Sequence, residues 1–141
     1  MHIALYQPDI AANAAAAVRL AARLHVPLTL VEPCGFVWDE RRLRRLGLDY
    51  LDHASIERFA SWVAFEAWRG GGRAPLVVLT TRAAHPHHRI ADRPDDLLIV
   101  DQESSGVPDQ VRAATDPDGA ARTIRRLGNR RRPVPSRRQL P

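Results

Sequence analysis

The alternation of short aliphatic runs with longer stretches of helical periodicity is the strongest constraint on what this chain can fold into. Leu28–Val31 (LTLV), Leu76–Thr80 (LVVLT) and Leu97–Val100 (LLIV) are brief and apolar almost throughout. Central strands of a parallel sheet look like this because both of their faces are covered. The text between them is long enough for helices, which gives an α/β domain: a parallel sheet flanked by helices.

The periodicity places a first strand at His2–Tyr6 and an alanine-rich helix at Ile10–Leu24, carrying Val18, Leu20 and Leu24. Leu28–Val31 is the second strand, Glu40–Leu46 a short basic helix and Tyr50–Asp52 a brief strand. Ser55–Trp68 reads as a helix through Phe59, Trp62, Val63 and Ala67, ended by Gly70-Gly71-Gly72. Two buried strands follow, Leu76–Thr80 and Leu97–Val100, and then a helix over Pro108–Ala114 with proline near its first turn. The order is βαβαβαββα, without internal repeats.

In such a sheet, ligands bind beyond the carboxyl ends of the strands. The loops after Tyr6, Val31, Thr80 and Val100 are therefore the places to look. The first runs Gln7-Pro8-Asp9-Ile10 into a helix, where Asn13 can cap or line a pocket and Arg19 either reaches a phosphate or is simply solvated. The last, Asp101-Gln102-Glu103-Ser104-Ser105-Gly106, has small residues that let backbone N–H groups approach a ligand, or it is an ordinary turn. Arg41-Arg42 and Arg44-Arg45 make a basic helix face, solvated or suited to a phosphate backbone. His85-Pro86-His87-His88 has no cysteine or carboxylate at ligand spacing, so no metal is expected. No Ser-His-Asp set, phosphate-binding GxxxxGK loop or GxGxxG pattern is present.

The charge is unevenly placed. Residues 117–141 hold eight arginines against one acid, Asp118, while residues 1–116 hold 13 arginines against 15 acids; the net +5 therefore belongs to the end of the chain. There is no lysine, so every such contact is through a guanidinium, which favours bidentate phosphate recognition. With high charge, Pro117, Pro133 and Pro135, and no apolar period, residues 117–141 read as a disordered basic tail on a domain of residues 1–116. No run approaches the ~20 apolar residues of a membrane span, and no signal segment is evident, which points to the cytoplasm. Cys34, the one cysteine, fits a reducing compartment and a structural role.

Several segments together resemble one family, the bacterial tRNA (cytidine/uridine) wobble-position 2′-O-methyltransferases of the SPOUT (trefoil-knot) superfamily. They are Ile3–Ile10 (IALYQPDI), Asn13 with Arg19-Leu20, Val31–Trp38 (VEPCGFVW), Arg41–Asp49 (RRLRRLGLD), Leu79–Thr81 (LTT) and Glu103–Pro108 (ESSGVP), in the family's order. The resemblance implies an S-adenosyl-L-methionine donor held at Leu79, Thr80, Glu103 and Gly106. It implies tRNA contacts at Asn13, Arg41 and Arg42, a catalytic role for Arg19, a leucine-tRNA substrate and a homodimer. An arginine stays protonated at neutral pH, so stabilisation of developing negative charge is the role expected of Arg19.

The chain also departs from the family's pattern. Ala14-Ala15-Ala16-Ala17 stands where the family continues Thr-Gly-Asn, and Val100-Asp101 where it has Phe-Gly; an Asp101 side chain is expected to intrude on the cofactor. Residues 117–141 lack the Pro-Gly loop, Ser-Leu-Asn motif and apolar helix that thread the knot, so an incomplete knot is expected. A shifted reading frame or a functional basic tail would each produce such a text. The competing reading is an inactive RNA-binding chain whose arginines make sequence-independent phosphate contacts.

Overall fold

The computed structural model describes residues 1–45, 49–70, 74–80, 85–86, 93–114 and 122–123. In chain order they form β1 (His2–Tyr6), α1 (Ala11–Leu24), β2 (Leu28–Val31), α2 (Glu40–Arg45), a 3-10 turn (Asp49–His53), β3 (Ile56–Phe59) and α3 (Trp62–Arg69). β4 (Leu76–Thr80), β5 (His85–Pro86), β6 (Leu97–Val100), α4 (Asp109–Ala113) and β7 (Arg122–Thr123) follow. The strands make one parallel sheet in the order β3-β2-β1-β6-β4-β7-β5. β1 lies between β2 and β6, with Leu5 opposite Leu30 on one side and Val100 on the other.

Strand alternation divides the interior into two layers. In β1, Ile3 and Leu5 turn to one face, where Leu28, Leu30 and the alanine stripe of α1 (Ala14, Ala15, Val18, Ala21) meet them. Ala4 and Tyr6 turn to the other, against Phe65 of α3, Val78, Ile99 and Val111 of α4. Alanines on α1 let its backbone lie close to the sheet, and alanine is also the best helix former. Phe65 is completely buried, which contributes roughly 2–3 kcal/mol. α1 stops at His25, whose left-handed conformation (φ 54°) lets its N–H reach Ala21 and Ala22.

The strands at His2–Tyr6, Leu28–Val31, Leu76–Thr80 and Leu97–Val100 have the bounds the sequence indicates. Three readings need correction. The segment expected as one helix, Ser55–Trp68, is a strand followed by a helix: Ile56–Phe59 pairs with β2 at the edge of the sheet, and Ser61 then caps α3 through its Oγ, 3.2 Å from the N–H of Ala64. Tyr50–Asp52 is a 3-10 turn rather than a strand, since β3 takes the place beside β2. Leu20 and Leu24 are 52% and 57% exposed, because Val18 and the alanines supply the buried face of α1.

α3 is tied down by Arg69, which is buried and forms a two-bond ion pair with Glu66 at 2.8 and 2.9 Å. Its remaining donors reach the carbonyls of Ala74 before β4, at 2.9 Å, and Ala114 after α4, at 3.4 Å. Arg122–Thr123 pairs with β4; the rest of residues 117–141, on which the expected disorder and incomplete knot fall, lies outside the described residues. His85 belongs to β5, while His87 and His88 lie outside the described residues.

Candidate active site

Strand order reverses between β1 and β6: from β1 the chain moves outward through β2 and β3, while β6 and β4 lie on the other side. At such a switch point the loops leaving neighbouring strands part and open a crevice. A cavity of about 650 Å³ lies there, at the carboxyl ends of β1, β4 and β6. Its walls come from Ile10 and Asn13 at the start of α1, Leu79 and Thr80 at the end of β4, and residues 100–107. Arg112 of α4 completes it.

Asn13, Leu79, Thr80, Glu103 and Gly106, which sequence reasoning scattered over three loops, thus meet around one space. Arg19, Arg41 and Arg42 do not line it. Arg19 is half-buried on α1 and has no ion-pair partner among the described residues. Arg41 and Arg42 are exposed on α2, their backbone N–H groups bound by Asp39 Oδ1 at 2.9 and 3.2 Å. The next arginine of that face, Arg44, is committed to Asp52 through bonds of 2.8 and 2.7 Å, and holds its carboxyl below the usual carboxylate range.

The loop after β6 is shaped by Gly106, whose φ of 73° favours glycine, and by its N–H bond to the carbonyl of Gln102 at 2.8 Å. A side chain added at Gly106 would lie 3.5 Å from Asp101 Oδ2. Asp101 lines the wall of the cavity. Glu103 crosses to the loop after β1, accepting the N–H of Asp9 at 2.9 Å and Nδ2 of Asn13 at 3.0 Å. Hydrogen bonds with Glu103 and Ser104 hold the Asp9 carboxyl below the usual range. Gly35, in the loop after β2, supports Asp9 from behind, its N–H bonded to the carbonyl of Pro8 at 2.9 Å.

Sequence reasoning missed Arg112 and Gln7. Arg112 donates to the carbonyl of Val107 at 3.3 Å and pairs with the exposed Asp109 at 3.1 Å. Its only sequence signal is its place one turn into the helix that follows the Glu103 loop. A second space of about 520 Å³ lies across that loop, bounded by Tyr6, Gln7, Gln102, Ser105, Asp109 and Arg112. Gln7 bends the chain there with φ 42°, a conformation that non-glycine residues rarely hold away from functional turns.

This arrangement offers an apolar floor (Ile10, Leu79, Val100, Val107), two carboxylates and one guanidinium in a space the size of a nucleoside derivative. It suits a ligand with an aromatic base, hydroxyls and a cationic centre, and so fits S-adenosylmethionine. The sequence pattern of the SpoU rRNA Methylase family matches residues 1–121. The chain belongs to that family. Membership implies S-adenosylmethionine as the methyl donor.

Two relatives named tRNA (cytidine(34)-2′-O)-methyltransferase show how close the likeness is. That of Beijerinckia indica is 44% identical over 114 residues, covering 81% of this chain and 71% of the relative. That of Ancylobacter novellus is 45% identical over 114 residues, covering 81% and 72%. A solved structure, described as giving structural insights into the 2-OH methylation of C/U34 on tRNA, superposes with a TM-score of 0.74 at 34% identity. It covers 86% of this chain and 76% of its own. The fold is that of the SPOUT RNA methyltransferases. Among the described residues, no helix is long and apolar enough to cross a membrane.

Proposed function

We propose that this protein transfers a methyl group from S-adenosylmethionine to the ribose 2′-hydroxyl of the wobble cytidine or uridine of tRNA, in leucine tRNAs, as a cytoplasmic homodimer. The observation that carries the reading is the meeting of Asn13, Leu79, Thr80, Glu103 and Gly106 around one cavity at the switch point of the sheet. The activity for which the relatives are named supports the substrate. Exposed Leu20 and Leu24 on α1 support an apolar contact between two copies.

In this reading Leu79, Thr80 and Gly106 would hold the donor, which would supply an electrophilic methyl carbon. The new C–O bond forms as the S–C bond breaks, and the hydroxyl proton passes to solvent. Such a displacement needs mainly alignment, which fixed loops provide. Asp101 places negative charge beside the cationic donor, and Arg112 is placed to meet an anionic end. Arg19 stabilises developing charge on the ribose oxygen or holds the adjoining phosphate, and Arg41 and Arg42 contact the RNA backbone.

The test is calorimetric titration with S-adenosylhomocysteine, followed by methyl transfer to tRNA carrying ribose or 2′-deoxyribose at position 34. Micromolar binding and labelling of the ribose form alone are expected, with Arg19→Ala reducing kcat about 100-fold. Absence of binding by folded protein, or equal labelling of the deoxy form, would overturn the reading.

A further inference from the structure

Glu103 belongs to the loop after β6, yet its carboxylate oxygens are engaged by the loop after β1 and the first turn of α1. Oε2 accepts the backbone N–H of Asp9 at 2.9 Å, and Oε1 accepts from Nδ2 of Asn13 at 3.0 Å. The first bond is anchored. Gly35 packs so closely behind Asp9 that a Cβ there would stand 2.6 Å from the Asp9 Cβ and 2.7 Å from its Cα. The loop leading to Asn13 is thus held between Gly35 and Glu103.

The second bond decides how the Asn13 amide faces. Oε1 of Glu103 accepts from Nδ2, so the edge of the amide turned towards Glu103 is the NH2. Oδ1 is then turned away from Glu103. Among the described residues, no donor meets Oδ1, and Asn13 is exposed in the first turn of α1 while lining the donor cavity. The residues one turn further along, Ala16 and Ala17, carry no polar group to occupy it. The outcome is a neutral acceptor of fixed direction at the edge of the cavity. An amide oxygen does not remove a proton from an alcohol, but it can hold the hydroxyl by its hydrogen and leave the oxygen lone pairs free.

We propose that Glu103 is a positioning residue: it turns Asn13 so that Oδ1 accepts the hydrogen bond of the target ribose 2′-hydroxyl and aims the oxygen lone pairs into the donor cavity. The proposal rests on the methyltransferase reading above. It assigns to Glu103 an action through Asn13 in place of the donor contact that the resemblance implies.

The test uses the full chain with Glu103→Gln, Asn13→Ala and the double variant. Glutamine keeps the shape of glutamate but offers one acceptor oxygen in place of two, so it cannot satisfy both donors equally. Calorimetry with S-adenosylhomocysteine is expected to give a Kd within about threefold of the parent for each variant, while kcat for tRNA methylation falls about 10- to 100-fold with little change in KM. The double variant is expected to be no slower than Asn13→Ala alone, as follows when one residue acts through the other. In 15N-resolved spectra, the two Asn13 Nδ2 protons are expected to be well separated and slow to exchange, and to lose both properties in Glu103→Gln. The remaining resonances of that spectrum report whether the variant is folded.

A tenfold or greater loss of S-adenosylhomocysteine affinity in Glu103→Gln would make Glu103 a donor ligand and overturn the proposal. Independent, multiplying losses in the double variant would do the same, as would an Asn13 amide that ignores the substitution. A parent protein that neither binds S-adenosylhomocysteine nor methylates would instead sink the methyltransferase reading, and the hydroxyl contact with it. The spectra would still report the Glu103–Asn13 bond on its own.

Discussion

Gly35 leaves no room for a side chain, and its neighbour is backbone. Since the contact with Asp9 is at 2.6–2.7 Å, a methyl group at this position must displace a Cα, not a flexible side-chain tip. Gly35→Ala is therefore expected to cost about 1–3 kcal/mol in urea denaturation and to lower kcat for tRNA methylation, because Asp9 carries Glu103 with it. An unchanged midpoint would mean that the loop relaxes freely. The adjacent Cys34 is half-buried, and burial with the nearby Glu32 carboxylate pushes its thiol up to about 11, the opposing effect of Arg58 being smaller. Since the thiolate reacts, roughly 0.1% of the group is reactive at pH 8, and alkylation by iodoacetamide should run about 100-fold slower than for a free cysteine. Its rate should still climb steeply at pH 10 and above, where a free thiol has levelled off. Side-chain identities such as Asn13, Leu79 and Gly106 were legible in the sequence because they sit in loops that follow apolar runs. The bond from Glu103 to Asn13 was not, since it joins residues 90 apart in the chain.

Elements covered on both faces were easy to read, and those at the rim were not. β1, β2, β4 and β6 are apolar runs with a single sensible state, and the sequence gives their ends to the residue. β3 is an edge strand of four residues, Ile56-Glu57-Arg58-Phe59, half-buried at its ends and exposed between them. Edge strands carry charge as a guard against further pairing, and this one therefore imitates a helix face when Phe59 is joined to Trp62, Val63 and Ala67. The overlooked signal was Ser61, a capping residue just ahead of the apolar run. Ser61→Ala should cost about 1 kcal/mol by removing the acceptor of the Ala64 N–H. At the other end of α3, Glu66→Gln would leave the buried guanidinium of Arg69 without its counter-charge. A loss of roughly 3 kcal/mol in denaturant titration is expected. Glu66→Gln and Arg69→Met together should recover part of this, because the double change removes the charge as well as its partner. A double variant as unstable as the single one would show that the bonds from Arg69 to Ala74 and Ala114 matter more than the charge.

Across the whole molecule, charge and fold are distributed differently. Residues 1–116, which supply the described site, carry 13 arginines against 15 acids, and the cavity itself places Asp101 and Glu103 beside a single arginine, Arg112. That balance favours a cationic donor but offers little attraction to a polyanion. Attraction to RNA must come from elsewhere: from Arg41 and Arg42 on the exposed face of α2, or from the eight arginines of residues 117–141. The two sources differ in salt dependence. Each phosphate contact on single-stranded RNA contributes about 0.7 to the slope of log affinity against log salt. If the end of the chain supplies the contacts, replacing Arg130, Arg131 and Arg132 by glutamine should lower the slope by about 2 and leave S-adenosylhomocysteine binding intact. If α2 supplies them, that triple variant should keep the parent slope, and Arg41→Gln with Arg42→Gln should reduce it by about 1.4. Filter-binding titrations of tRNA between low and physiological salt separate the cases. A fall in both variants would mean that the RNA spans the α2 face and the end of the chain together, so that the acidic donor cavity is reached between two basic surfaces.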